Sequence, residues 1–351
     1  MIAYQGRLAW LALTSSVALS PSIAVACATC GCSLSTDAAM GYSAMPGWRI
    51  NLDYDFIDQN QLRSGTGSIS VPQVAGINDA GGNQEVEHKT INRYVNLGIS
   101  YSPRANWNFS AILPFLNRDH TTYGNATSDQ LRPDHLSGAT SRGLGDIKFI
   151  GSYQGFLATH NLGLQLGVKL PTGNYGGQNV ATGATVGRDP VFFSSGPNGA
   201  SGQALDTSLN PGTGSTDLIV GAYYYQAVSQ NVDAFINSQF QSAVMEKLNQ
   251  PGGNYRPGNN ATASVGLRYE DNPKVIPQLQ VNIYRKSHDQ GALADTTDTA
   301  GTVAYLSPGV SVSVWMNFQV YAFLQKAVYS NLAGYQLFPR WTGDVGVSYA
   351  F

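Results

Sequence analysis

The chain has 351 residues, with 20 Lys and Arg against 22 Asp and Glu for a net charge of -2, which gives no basic surface for nucleic acid. Only 12% of the residues are charged, against about 25% in a soluble domain, while Gly (39) and Tyr (19) are plentiful, a balance foreign to soluble enzymes. After the first 26 residues no run of 18 or more apolar residues remains, which excludes a membrane-spanning helix there but not a β-barrel.

Residues 1–26 read as an export signal: Arg7 is their only charge, "LAWLALTSSVAL" is apolar, Pro21 breaks the run, and "AVA" leads into Cys27. Residues 27–46 then form a cysteine-bearing periplasmic segment that holds all three cysteines, Cys27, Cys30 and Cys32. In an oxidising compartment, a Cys27–Cys30 or Cys30–Cys32 disulfide is one reading. Shared ligation of a soft ion such as Cu(I) or Zn is a second, although no His is near. Acylation of Cys27 is a third. There is no Cys-x-x-Cys-His, so covalent haem is not expected, nor is any other cofactor.

From residue 47 to residue 351 the pattern predicts an outer-membrane β-barrel. Alternation bounded by turn residues gives about twelve strands, near 48–62, 86–103, 107–123, 143–156, 161–172, 215–228, 231–244, 260–271, 275–289, 302–314, 317–331 and 341–351. Tight links ("RAN", "LATHN", "SQN", "NPK", "WMN") alternate with long ones at 63–85, 124–142, 173–214, 245–259, 290–301 and 332–340. Short periplasmic turns opposite long extracellular loops, with an even strand count, are the arrangement of antiparallel transmembrane barrels.

The alternation also assigns faces. Ile50, Leu52 and Tyr54, Leu164 and Leu166, and Leu279, Val281 and Ile283 should face lipid. Asp53, Asp55, Asp146, Lys148, Lys169, Arg268, Glu270 and Asp344 should then line the lumen, because Arg or Lys on the lipid face costs about 2–4 kcal/mol at the midplane. Trp48, Trp107, Tyr123, Tyr175, Trp315 and Trp341 are expected in interfacial girdles. The last strand, "WTGDVGVSYAF", ends with Tyr349 and Phe351 in the manner of a C-terminal signal read by the barrel-assembly machinery.

The segments "GLGDIKFIGSY" (143–153), "LGLQLGVKLPTGNY" (162–175) and "GTGSTDLIVGAYY" (212–224) resemble bacterial outer-membrane barrels of the MetA-pathway-of-phenol-degradation or putative-transporter type, over roughly residues 45–351. The opening "CATCGCSLSTD" with "DYDFIDQNQ" (53–61) is similar to a group of barrels that begin with clustered cysteines. The resemblance implies an outer-membrane protein, in contact with lipid, that handles small molecules. Relatives that carry fatty acids or aromatics have an N-terminal plug, and here only Ser33 to Gly47 separates the cysteines from the first strand.

The expected function is a channel for a small solute through a polar lumen of mixed charge. Import of hydrophobic or aromatic compounds and a closed structural barrel are the alternatives. A hydrolase would need Asp119–His120 and Asp134–His135 to meet at the barrel mouth, and neither a Gly-x-Ser-x-Gly nor a His-Glu-x-x-His motif is present, so an enzyme is not expected. "DTTDTAG" (295–301) has oxygen ligands for calcium but lacks the EF-hand spacing and reads as a polar loop.

Overall fold

β13 (Val275–Lys286) shows why this sequence makes a wall: its residues alternate exposed and buried without a break from Val275 to Lys286. Leu279, Val281 and Ile283 stand outward and Gln278, Gln280 and Asn282 inward, the reverse of a soluble sheet packed on an apolar core. Such a wall is stable only with lipid outside and with every backbone group paired, which an open edge cannot provide.

The computed structural model describes residues 46–351. The expected signal and the three cysteines lie outside them. In chain order the wall contains β1 (Gly47–Gly65), β3 (Glu87–Arg104), β4 (Trp107–Thr122), β5 (Ser137–Leu144), β6 (Lys148–Tyr153), β7 (Leu162–Lys169), β10 (Ser215–Ala227), β11 (Val232–Glu246), β12 (Asn260–Tyr269), β13, β14 (Gly301–Trp315) and β15 (Phe318–Ala350). β2 (Gly67–Ser68) is a short return on β1, and β8 (Tyr175–Gln178) pairs with β9 (Thr185–Arg188) in a separate hairpin.

All neighbouring wall strands are antiparallel, and β1 closes the ring on β15, from Arg49 opposite Ala350 to Gly65 opposite Leu332. Reciprocal bonds of 2.9 Å between Trp48 and Phe351 seal the seam at the tight-turn end. β5 and β6 are two parts of one wall strand, since both pair with β4, at 115–122 and 107–112 respectively. β15 is conversely two wall strands: 318–332 pairs with β14 and 332–350 with β1. The amide of Ala350 returns to donate to the Asn317 carbonyl at 2.9 Å. Counted in this way, the described wall has twelve strands.

Three expectations about the long connections are corrected. The 332–340 stretch is no loop; it carries β15 through a turn in which Gly334 has φ +53°. Leu337 and Phe338 are buried there, which turns the connection into strand. Within 63–85 lies α1 (Val71–Asp79), started by a Ser70–Gln73 capping box and held by Val74 and Ala75 against Leu62, Val86 and Leu337. Within 124–142, residues 137–144 belong to β5, so the wall strand expected at 143–156 begins earlier and is interrupted at 145–147.

The 173–214 connection folds into an outer cap. It holds the β8–β9 hairpin and α2 (Gly196–Ala200), and Phe193, Leu205 and Leu209 pack on Ala139 of β5. Aromatic pairs at the tight-turn end, Trp48–Tyr101 (4.6 Å) and Trp107–Tyr153 (4.8 Å), form the girdle on that side. Tyr123 and Tyr175 do not join a girdle. Tyr123 packs on the α1 cluster and Tyr175 lies under the Arg188 guanidinium, 5.5 Å away, because both belong to outer connections rather than to the belt. Among the described residues, no helix is long and apolar enough to cross a membrane.

Candidate functional site

The polar interior is organised around charge pairs. Lys169 on β7 is buried, with Nζ 2.9 Å from Asp146 Oδ2 and 3.1 Å from Asp217 Oδ2 on β10. Asp146 sits in the break between β5 and β6, where it also accepts the amides of Gly173 (3.1 Å) and Thr213 (2.9 Å). Asp217 accepts from Ser215 (2.5 Å) and Gln241 (2.6 Å). Lys148 stands directly opposite Lys169 in the β6–β7 register. A buried ammonium is tolerated only with such partners, so this network pins the interrupted strand to its neighbours as well as lining the interior.

At the β1–β15 seam itself, Asp55 faces Asp344, with Asp53 two residues along. All three are buried, and Asn96 donates to Asp55 at 2.9 Å. Gly346 leaves room there: a Cβ at that position would lie 2.4 Å from the Tyr321 hydroxyl and 2.6 Å from Asp53 Oδ1. Arg268 and Glu270 form a separate pair, 3.2 Å apart, on β12 and just beyond its end.

Sequence reasoning missed Arg118 and Asp217. Arg118 is fully buried on β4, and donates to Asn92 Oδ1 (2.5 Å), to the Tyr94 hydroxyl (2.8 Å) and to the Leu209 carbonyl of the cap (2.6 Å). Its inward place was available from the alternation with Asp119, but its bond to the cap was not. His120 and Asp134 do not come together: His120 is buried against Thr90 Oγ1 (2.8 Å), whereas Asp134 is exposed beside Arg132. Asp119 points the other way, to Arg93 at 2.7 Å.

The inner face of the wall is polar. Along β1, β13, β14 and the β15 hairpin, Asn51 Oδ1, both amide atoms of Gln280, Asn282 Oδ1, Ser307 Oγ and the Tyr321 hydroxyl are buried without a protein partner. Leaving such groups unpaired costs about 1–3 kcal/mol each.

A closed twelve-stranded wall, an apolar belt and a polar, ion-paired interior define a transmembrane barrel of the bacterial outer-membrane class. The COG4313 outer membrane channel from Pseudomonas putida F1 is similar in structure, with a TM-score of 0.58 at 12% identity over 88% of this chain and 98% of that one. The CymD monoaromatic hydrocarbon channel matches at 10% identity over 88% of this chain and 89% of its own, with a TM-score of 0.42. The Pseudomonas putida toluene transporter TodX matches at 10% identity over 87% and 90%, with a TM-score of 0.40. At these identities the likeness is one of fold, and the first structure carries it. No family model and no curated protein matches the chain in sequence.

Proposed function

We propose that the protein is an outer-membrane channel for small polar solutes, of the MetA-pathway-of-phenol-degradation or putative-transporter type that its segments resemble. The observation that supports this reading is the polar inner face behind the apolar outer one, with Gln278, Gln280 and Asn282 of β13 and Asp53, Asp55 and Asp344 at the β1–β15 seam standing inward. Carboxylates, amides and hydroxyls offer little to a hydrocarbon, so the interior favours polar solutes over aromatic ones. Asp53, Asp55 and Asp344 set a negative stretch, and Lys148 supplies positive charge elsewhere, whereas Lys169 and Arg268 are balanced by the carboxylates that they pair with.

Liposome swelling with sugars and amino acids of graded size tests the reading. Swelling that falls off with solute size supports it, and none with any solute speaks for a closed structural barrel. Within a conducting channel, Lys148→Glu should shift the reversal potential under a salt gradient towards cation selectivity. An unchanged potential would remove Lys148 from the path.

Tyr349 and Phe351 are exposed, with their rings 5.8 Å apart, and the wall does not need them for packing. In our reading they serve recognition by the assembly machinery. Phe351→Ala should therefore lower the yield of heat-modifiable barrel in the outer membrane several-fold, yet leave the melting point of what does assemble unchanged. A normal yield would end that assignment.

A further inference from the structure

On the outer face of the wall, two successive cross-strand rows differ in chemistry. In the lower row Tyr54 of β1, Val95 of β3, Phe115 of β4 and Leu144 of β5 stand side by side, all exposed. One step up on the same face the row is Phe56, Arg93, Asn117 and Arg142. Asn117 is ten residues beyond Trp107 at the tight-turn end, which lifts this row roughly 25 Å for a strand rising ~3.3 Å per residue at a tilt of ~40°. That is the upper edge of a belt about 25 Å tall, where the cost of an arginine on the lipid face has nearly vanished.

The charge at this level is not neutralised within the wall. Arg93 pairs with Asp119 at 2.7 Å, and Lys89 with Asp58 at 3.4 Å. Arg142 is exposed, its guanidinium 5.8 Å from the centre of the Phe115 ring. Arg340 is exposed beside Trp341, where the β1–β15 register shifts between Ile57 and Gln59. Among the described residues no carboxylate pairs with Arg142 or Arg340. Lys89, Arg93, Arg142 and Arg340 against Asp58 and Asp119 leave a surplus of two positive charges on this face. The tight-turn boundary carries Trp48, Tyr101, Trp107 and Tyr153 instead, which call for no counter-ion. A basic row directly above an apolar one is complementary to an anionic headgroup above its acyl chains.

We propose that the β1–β3–β4–β5 face docks a phosphorylated glycolipid of the outer leaflet, with a phosphate at each of Arg93 and Arg142 and acyl chains lying on Tyr54, Val95, Phe115 and Leu144. Arg93 and Arg142 flank Asn117 in one row, so they stand two strand spacings apart, about 10 Å. A disaccharide with a phosphate at each end spans a comparable length. The guanidinium presents a planar fork of N–H donors that holds phosphate bidentately, which an ammonium cannot do. Arg93 gives Nη1 to Asp119, which leaves the other side of its fork for phosphate. A free phosphate would have no use for the apolar row beneath, so the lipid is the source. The site lies outside the lumen and stands whether or not the barrel conducts.

The test is native mass spectrometry of the whole folded protein in neutral detergent, titrated with bisphosphorylated lipid A and, separately, with the same lipid stripped of both phosphates. A saturable adduct of one lipid per chain is expected, retained severalfold better with the phosphates than without. Arg142→Gln should lower retention of the phosphorylated lipid severalfold, and Arg142→Gln with Arg93→Gln should bring it to the level of the stripped lipid. Lys274→Gln, exposed at the tight-turn end, should leave it unchanged. Heat modifiability confirms that each variant is folded. Equal retention of the two lipids, or phosphate preference that survives the double substitution in a folded barrel, overturns the site. Inorganic phosphate alone should show no saturable binding by calorimetry, and binding of it that Arg142→Gln abolishes would overturn the choice of a lipid.

Discussion

Replacing Lys169 with Met should destabilise the folded barrel by about 3–5 kcal/mol, the effect of removing one partner from a buried ion pair. The ammonium lies 2.9 Å from Asp146 and 3.1 Å from Asp217, and all three groups are nearly inaccessible. Without it, two carboxylates face each other across β7 in a medium that screens poorly. The geometry also says which substitution restores stability. Asp146 keeps the amides of Gly173 and Thr213, so its charge is partly held, while Asp217 has only the Ser215 and Gln241 side chains and whatever water reaches it. Lys169→Met with Asp217→Asn should therefore recover more than Lys169→Met with Asp146→Asn. The measurement is the urea midpoint of the barrel in detergent micelles. A loss below about 1 kcal/mol for the single variant would mean that the network is solvated and weak.

The second large effect concerns the outer face. Leu166 is 62% exposed on β7, and Gln165 and Gly167 on either side of it turn inward or lie level with the wall. It stands about five residues above the tight turn, or roughly 12 Å along the membrane normal for a strand rising ~3.3 Å per residue at a tilt of ~40°. That is the middle of a belt about 25 Å tall. Leu166→Arg should cost about 2–4 kcal/mol, and Leu166→Phe almost nothing, when unfolding is followed in lipid vesicles. Equal stability of the two variants would place Leu166 in water and reverse the facing of β7.

The wall was readable because two constraints act on every residue of it. A strand between lipid and water must alternate, and tight links must pin the ends, so β7 and β13 stand out from "LGLQLGVK" and "VIPQLQVNIYRK" alone. β5 and α1 were not readable for the opposite reason. "SGATSRGL" has no apolar period, and it becomes β5 through backbone pairing with β4 and through burial of Ala139 under Phe193 and Leu209. α1 has nine residues, too few for a helical period to declare itself, and it depends on Leu62 of the preceding strand and on Leu337 from the far end of the chain. The inward charges could be placed on a face, but their partners could not be named. Lys169 meets Asp217 because β7 and β10 are neighbours in the wall, with the whole cap inserted between them in sequence.

The channel claim is tested most directly by single-channel recording of the purified protein in planar bilayers. The polar inner face along β13, β14, the β15 hairpin and β1 predicts small discrete steps that persist at low voltage, and Gln280→Leu with Asn282→Leu, which makes part of that face apolar, should reduce them severalfold. A reconstituted, heat-modifiable barrel that shows no steps at any voltage, in a preparation whose liposomes admit no solute, would contradict the account.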